Sequence, residues 1–136
     1  EDSGTAFRNT TEIHLRRDSR TLINEAQLKS SVFNIISSYI KKIKLGDTIN
    51  VRDLNNDIEA IKGLVDFKTV RTDSGLEIPG LSLCIFNPIY NGKDIKFIDT
   101  TLKLKPYQIP YIQNEIAFKD KIKVMSVLES KAIVEY

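Results

Sequence analysis

Asp53, Asn55, Asp57 and Glu59 stand at every second position of the stretch DLNNDIEAIKG, residues 53–63. Oxygen-bearing side chains at that spacing open a calcium-binding EF loop, which draws ligands from alternate early positions. The same loop requires glycine at its sixth position for the sharp turn and a bidentate glutamate at its twelfth. Counting from Asp53, those positions hold Ile58 and Leu64. Ile58 instead falls in an apolar stripe with Val51, Leu54 and Ile61, at the spacing of one helix face. The stretch therefore reads as a helix whose acidic residues face solvent, with Asp53 and Asp57 on one side at i and i+4. No metal site is expected there.

Other residue types with chemical potential lack partners. His14 is the single histidine, set in an alternating segment without metal-ligand spacing around it. Cys84 lies between Leu83 and Ile85 in an apolar run, the setting of a buried inert thiol rather than of an activated thiolate. Neither phosphate-binding glycine motif occurs. No catalytic, cofactor-binding or metal-binding residue is assigned, no cofactor or small-molecule substrate is expected, and the chain does not read as an enzyme. Lysines cluster at Lys41, Lys42 and Lys44, at Lys103 and Lys105, and at Lys119, Lys121 and Lys123. Alternation places the last two sets on single strand faces. Such faces suit either solvent or a polyanion, but no aromatic platform interleaves with them as single-strand binding requires. Tyr90, Tyr107 and Tyr111 stand in the proline-containing connections NPIY and KPYQIPYI. They read either as contacts for a protein partner or as caps on the edge of the chain's own core.

The elements that position these residues follow from periodicity. Residues 1–10, EDSGTAFRNT, are polar and patternless and read as a tail or linker. TEIHLRR alternates, with Ile13 and Leu15 facing one way, as a short strand or an arm that completes a sheet here or in a neighbour. Leu28, Val32, Ile35, Ile36, Tyr39, Ile40 and Ile43 recur at helical spacing, predicting a helix from about Ala26 to Lys44, capped by Asn24 and ended by Gly46. A second helix starts after Asn50 as N-cap and closes before Gly63. Beyond Gly63 the period becomes two. LVDFKTVRT places Val65, Phe67 and Thr69 on one face, and LSLCIF and TTLKLK follow as strands. Asn91-Gly92 is a tight-turn pair, and KIKVMSVL with KAIVEY predicts a closing hairpin. The fold class is α+β: a single domain over residues 11–136, with two N-terminal helices packed on a mostly antiparallel sheet of about five strands.

Composition sets outer limits. A chain of 136 residues, 41% hydrophobic, builds one core without staples. Twenty basic against eighteen acidic side chains leave a net charge of +2, too even to imply nucleic acid or anionic membrane as partner. No apolar run approaches a membrane span, and the single cysteine forms no internal disulfide. The chain opens at Glu1 rather than Met, which reads as a fragment or processed product. A missing signal peptide therefore says nothing about the parent.

The stretch SVFNIISSYIKKIKLGDTINVRDLNNDIEAIKGLVDFKTVRT resembles the late region of baseplate wedge proteins from contractile-tailed bacteriophages, within the broad baseplate J-like group. The shared positions are Tyr39, Ile40, Leu45, Gly46, Ile49, Leu54, Ile58, Ile61, Gly63 and Val65, and the segments GLSLCIFNPIY and YQIPYI are closer to the T-even type. The resemblance covers about residues 24–136 and rests on structural rather than catalytic positions. It implies a virion component of the tail baseplate, assembled in the host cytoplasm. Such a protein builds the inner ring by associating with itself, as a homodimer of neighbouring chains, and with other wedge subunits. A fragment starting at Glu1 would be the C-terminal portion. The long helix then lends a second face to a partner, with Phe33 beside Ile36 and Ile40 as its apolar contacts. The rival reading is a nucleic-acid or polyanion module that uses the lysine faces.

Overall fold

The computed structural model describes residues 4–7, 11–72, 74–86, 96–98, 100–106, 109–112 and 114–127. The first helix, α1 (Glu25–Lys42), begins where expected. Asn24 accepts from the Gln27 backbone N–H while the Gln27 side chain accepts from Asn24 N–H, a reciprocal capping box. Leu28, Val32, Ile36 and Ile40 bury one stripe, each four residues from the next. The helix stops at Lys42, earlier than the glycine suggests. Ile43 turns extended (ψ 132°), and Asp47 closes the next turn: its side chain accepts from Lys44 N–H and its own N–H donates to the Lys44 carbonyl, both at 3.0 Å. Gly46 (φ +74°) sits inside that turn, where a Cβ would lie 3.1 Å from Pro106 Cα.

A short strand, β3 (Thr48–Asn50), leads directly into α2 (Val51–Glu59). Asn50 accepts from the N–H groups of Arg52 and Asp53, and Val51, Leu54 and Ile58 have no solvent exposure. Gly63, at φ +94°, carries the chain out of the second helix against Thr21 and Ile23.

Ten strands are described, where about five were expected. The others are β1 (Gly4–Phe7), β2 (Thr11–Asp18), β4 (Leu64–Arg71), β5 (Glu77–Pro79), β6 (Leu83–Phe86), β7 (Lys96–Ile98), β8 (Thr101–Lys103), β9 (Ile109–Ile112) and β10 (Ile122–Val127). They form three sheets, ordered β7-β6-β1-β9, β10-β2-β4-β5 and β3-β8. The class is α+β, but the pairing is mixed: β1 with β9 and β2 with β10 run parallel, and the remaining pairs antiparallel. The strand TEIHLRR is no free arm. It is β2, interior to its sheet, and alternation holds, with Ile13 and Leu15 buried. On β4, Phe67 and Thr69 are buried as their shared face requires. The Thr69 hydroxyl donates to the Gly80 carbonyl and accepts from Ser82 N–H, both at 2.9 Å, so its burial leaves no unmet bond.

Two further corrections concern the ends of the sequence. Gly4–Phe7, within the expected tail, forms β1, because β6 and β9 supply main-chain partners on both sides. A third helix, α3 (Glu115–Asp120), precedes β10, with the Asn114 side chain accepting from Ala117 N–H. β10 is the parallel neighbour of β2, and KAIVEY, the other half of the expected hairpin, lies outside the described residues. The Asn91-Gly92 turn also lies outside them. One continuous core joins α1 and α2 to Leu15, Phe67, Leu81, Leu83, Leu104, Phe118 and Ile122.

Candidate functional site

The alternating carboxylates and amides of DLNNDIEAIKG are all on α2 or at its end. Residues two apart on a helix point about 200° away from each other, so this spacing separates the side chains that a calcium loop would converge. Asn55 has a structural task instead. Its Oδ1 accepts from Leu81 N–H at 2.8 Å and its Nδ2 donates to Glu59 Oε2 at 2.9 Å, tying α2 to the connection between β5 and β6. Gly80 in that connection has φ +79°, and a Cβ there would lie 2.5 Å from Asn55 Oδ1. Among the described residues no three His, Cys, Asp or Glu side chains are grouped to hold a metal ion.

The outer face of the β10-β2-β4-β5 sheet carries the densest charge. Register aligns Lys123, His14, Lys68 and Pro79 in one row and Met125, Arg16 and Asp66 in the next. Together they border a depression of about 780 Å³. Arg16 grips Asp66 with two parallel bonds, Nε to Oδ1 at 2.6 Å and Nη2 to Oδ2 at 2.5 Å. Lys68 pairs with Glu77 at 3.0 Å, and His14 Nε2 meets Glu12 Oε1 at 2.9 Å. The guanidinium of Arg16 holds the Asp66 carboxyl below its ordinary range, and the His14 hydrogen bond does the same for Glu12. Asp18 is lowered too, by its bonds from Arg20. A carboxyl lowered in this way stays ionised, the opposite of what a general acid at neutral pH needs. The face is thus a ladder of compensated charges. The lysine set at 119–123 does not form one strand face either: Lys119 is on α3, Lys121 caps it and Lys123 is on β10.

The apolar surface lies elsewhere. Phe33, half-buried on α1, packs its ring against Phe118 of α3 with centroids 6.2 Å apart, and Lys119 Nζ lies 5.7 Å from the Phe33 centroid. Ile116, two residues before Phe118 on α3 and so on the opposite side of that helix, is 78% exposed. Glu115, next to it, pairs with Lys41 of α1 at 3.6 Å. Tyr111, on β9, is 38% exposed. The half-buried Phe33, with Lys119 over its ring and the Lys41–Glu115 pair also joining α1 to α3, combines an apolar centre with a polar rim, the make-up of a protein contact.

The residues expected to form an interface fall in different places. Phe33 and Tyr111 reach the surface. Ile40 does not: it is 3% exposed, because the stripe it shares with Leu28, Val32 and Ile36 faces the core. The less buried side of α1 carries Ile35 and Tyr39 instead, bordering a shallow depression with Lys42 and Asp57. The Tyr39 hydroxyl accepts from Asn50 N–H at 2.7 Å, holding α1 to the start of α2. Tyr90 and Tyr107 lie outside the described residues, as does the side chain of Cys84. Ile116 and Phe118 escaped the sequence reading, although Asn114 as a cap before Glu115 was a legible signal for their helix.

No helix among the described residues is long and apolar enough to cross a membrane. The chain matches no family model, no curated protein and no solved structure.

Proposed function

We propose that this chain is a non-enzymatic assembly domain of a contractile-phage tail baseplate, a virion component that acts through self-association and contacts with other wedge subunits. The wedge-like motifs support the baseplate part of this reading. Of their positions, Ile49, Leu54 and Ile58 are core residues, Tyr39 pins α2 and Gly63 makes its exit turn. The observation that carries the assembly part is the exposed Ile116 on α3, the helix that docks on α1 through the Phe33–Phe118 pair and the Lys41–Glu115 contact. A polyanion-binding reading is less well supported, since the cations Arg16 and Lys68 are matched by carboxylates on the same face.

Light scattering after gel filtration, over a wide concentration range, tests self-association. The expected result is a dimer at low micromolar concentration. Ile116→Asp should weaken it by about tenfold or more, about 1.4 kcal/mol, with circular dichroism and thermal midpoint kept. A monomer throughout, or a dimer indifferent to Ile116→Asp, removes this surface as the self-contact.

A further inference from the structure

Strands β2 and β10 lie side by side and run the same way, in register from Ile13 opposite Ile122 to Asp18 opposite Val127. Main-chain bonds close both ends of this ladder. Ile13 N–H donates to the Lys121 carbonyl at 2.9 Å and Ser19 N–H to the Val127 carbonyl at 2.8 Å. Strands β1 and β9 repeat the arrangement, from Gly4 opposite Ile109 to Phe7 opposite Ile112. Among the described residues, in each pair the earlier strand is interior to its sheet and the later one is its edge.

This topology has a mechanical consequence. Tension that enters at the first residue of β2 and at the last residue of β10 draws β2 backward and β10 forward. The strands are parallel, so the two pulls oppose each other along the strand axis, and every bond of the ladder carries load together. The same holds for β1 against β9. Sliding meets two further obstacles. Ile13, Leu15 and Ile122 are buried in one core, and a one-residue slip of either strand would turn its apolar residues outward. Arg17 Nη1 also donates to Ser126 Oγ at 2.8 Å, and Ser126 donates to Glu25 Oε2 at 2.6 Å, linking β2, β10 and α1.

We propose that the two parallel ladders make this domain a mechanical clamp, which resists by shear a tension applied between the start of β2 and the end of β10. The proposal goes beyond the assembly reading and holds whether or not the chain self-associates. Optical tweezers test it on the full chain, with handles at Thr11 and Val127 or at Leu22 and Val127. Leu22 is fully exposed just past the end of β2, so force entering there reaches the ladder at the end shared with Val127 and opens it bond by bond. At equal loading rate the Thr11/Val127 geometry is expected to rupture at a force at least about twofold higher, since forced unfolding follows the barrier along the pulling path. Equal urea midpoints for the two handled chains establish that the fold is the same in both. Equal rupture forces, or a weaker Thr11/Val127 geometry, overturn the clamp.

Discussion

Arg16 and Asp66 face each other across β2 and β4, and two short bonds make theirs a bidentate ionic contact. Both side chains are about half exposed, so the pair contributes at most about 1 kcal/mol. The folded-state pKa of Asp66 lies below its ordinary value of 3.8. Its contribution is therefore complete above the ordinary carboxylate range and is lost as pH falls through the lowered folded value. Asp66→Asn should cost a few tenths to about 1 kcal/mol at pH 7 and nothing measurable near pH 2. Urea denaturation of both proteins at the two pH values checks this, and an equal loss at both would assign the effect to packing. Single residues were only partly legible before the fold. His14 and Arg16 were placed on the polar side of their strand correctly, but Ile40 was lent to a partner although the core claims it.

Helix ends were legible because their determinants are local. Asn24, Asn50 and Gly63 each act on backbone groups or φ angles within a few residues. What α2 does at longer range was not. Asn55 reads in the sequence as part of a solvated helix face, yet it binds Leu81, 26 positions away. Asn55→Ala leaves the N–H of buried Leu81 without that acceptor and should cost about 1–3 kcal/mol. Asp57→Ala, on the exposed side of the same helix, should stay within about 0.5 kcal/mol. Urea midpoints of the two variants separate these outcomes, and similar values would mean that Asn55 anchors nothing. The short α3 was missed because six residues hold less than two turns, too few to show a period.

For the whole molecule, the first strands matter beyond their length. β1 is hydrogen-bonded on one side to β6 and on the other to β9, and β2 to β4 and β10, so one early segment is interior to both four-stranded sheets. Deleting residues 1–8 strips β6 and β9 of their shared partner. The deletion should destabilise the chain by at least about 2 kcal/mol in urea, where loss of an unstructured tail stays within about 0.5 kcal/mol. An unchanged midpoint would restore the tail reading.

The amino-acid order alone determined the α+β class, the core faces of α2, β2 and β4, and the N-caps of α1 and α2. These depend on periodicity and on hydrogen bonds that close within one turn. Only the tertiary structure decided that the strands divide into three sheets, that β1 exists, and that early strands pair in parallel with late ones. Alternation states which side of a strand is apolar, but says nothing about which strand lies beside it. Arg17 and Ser126 meet across 109 positions, and no local pattern carries information over that distance. The docking of α3 on α1 was hidden for the same reason, because Phe118 and Phe33 meet only in the folded chain.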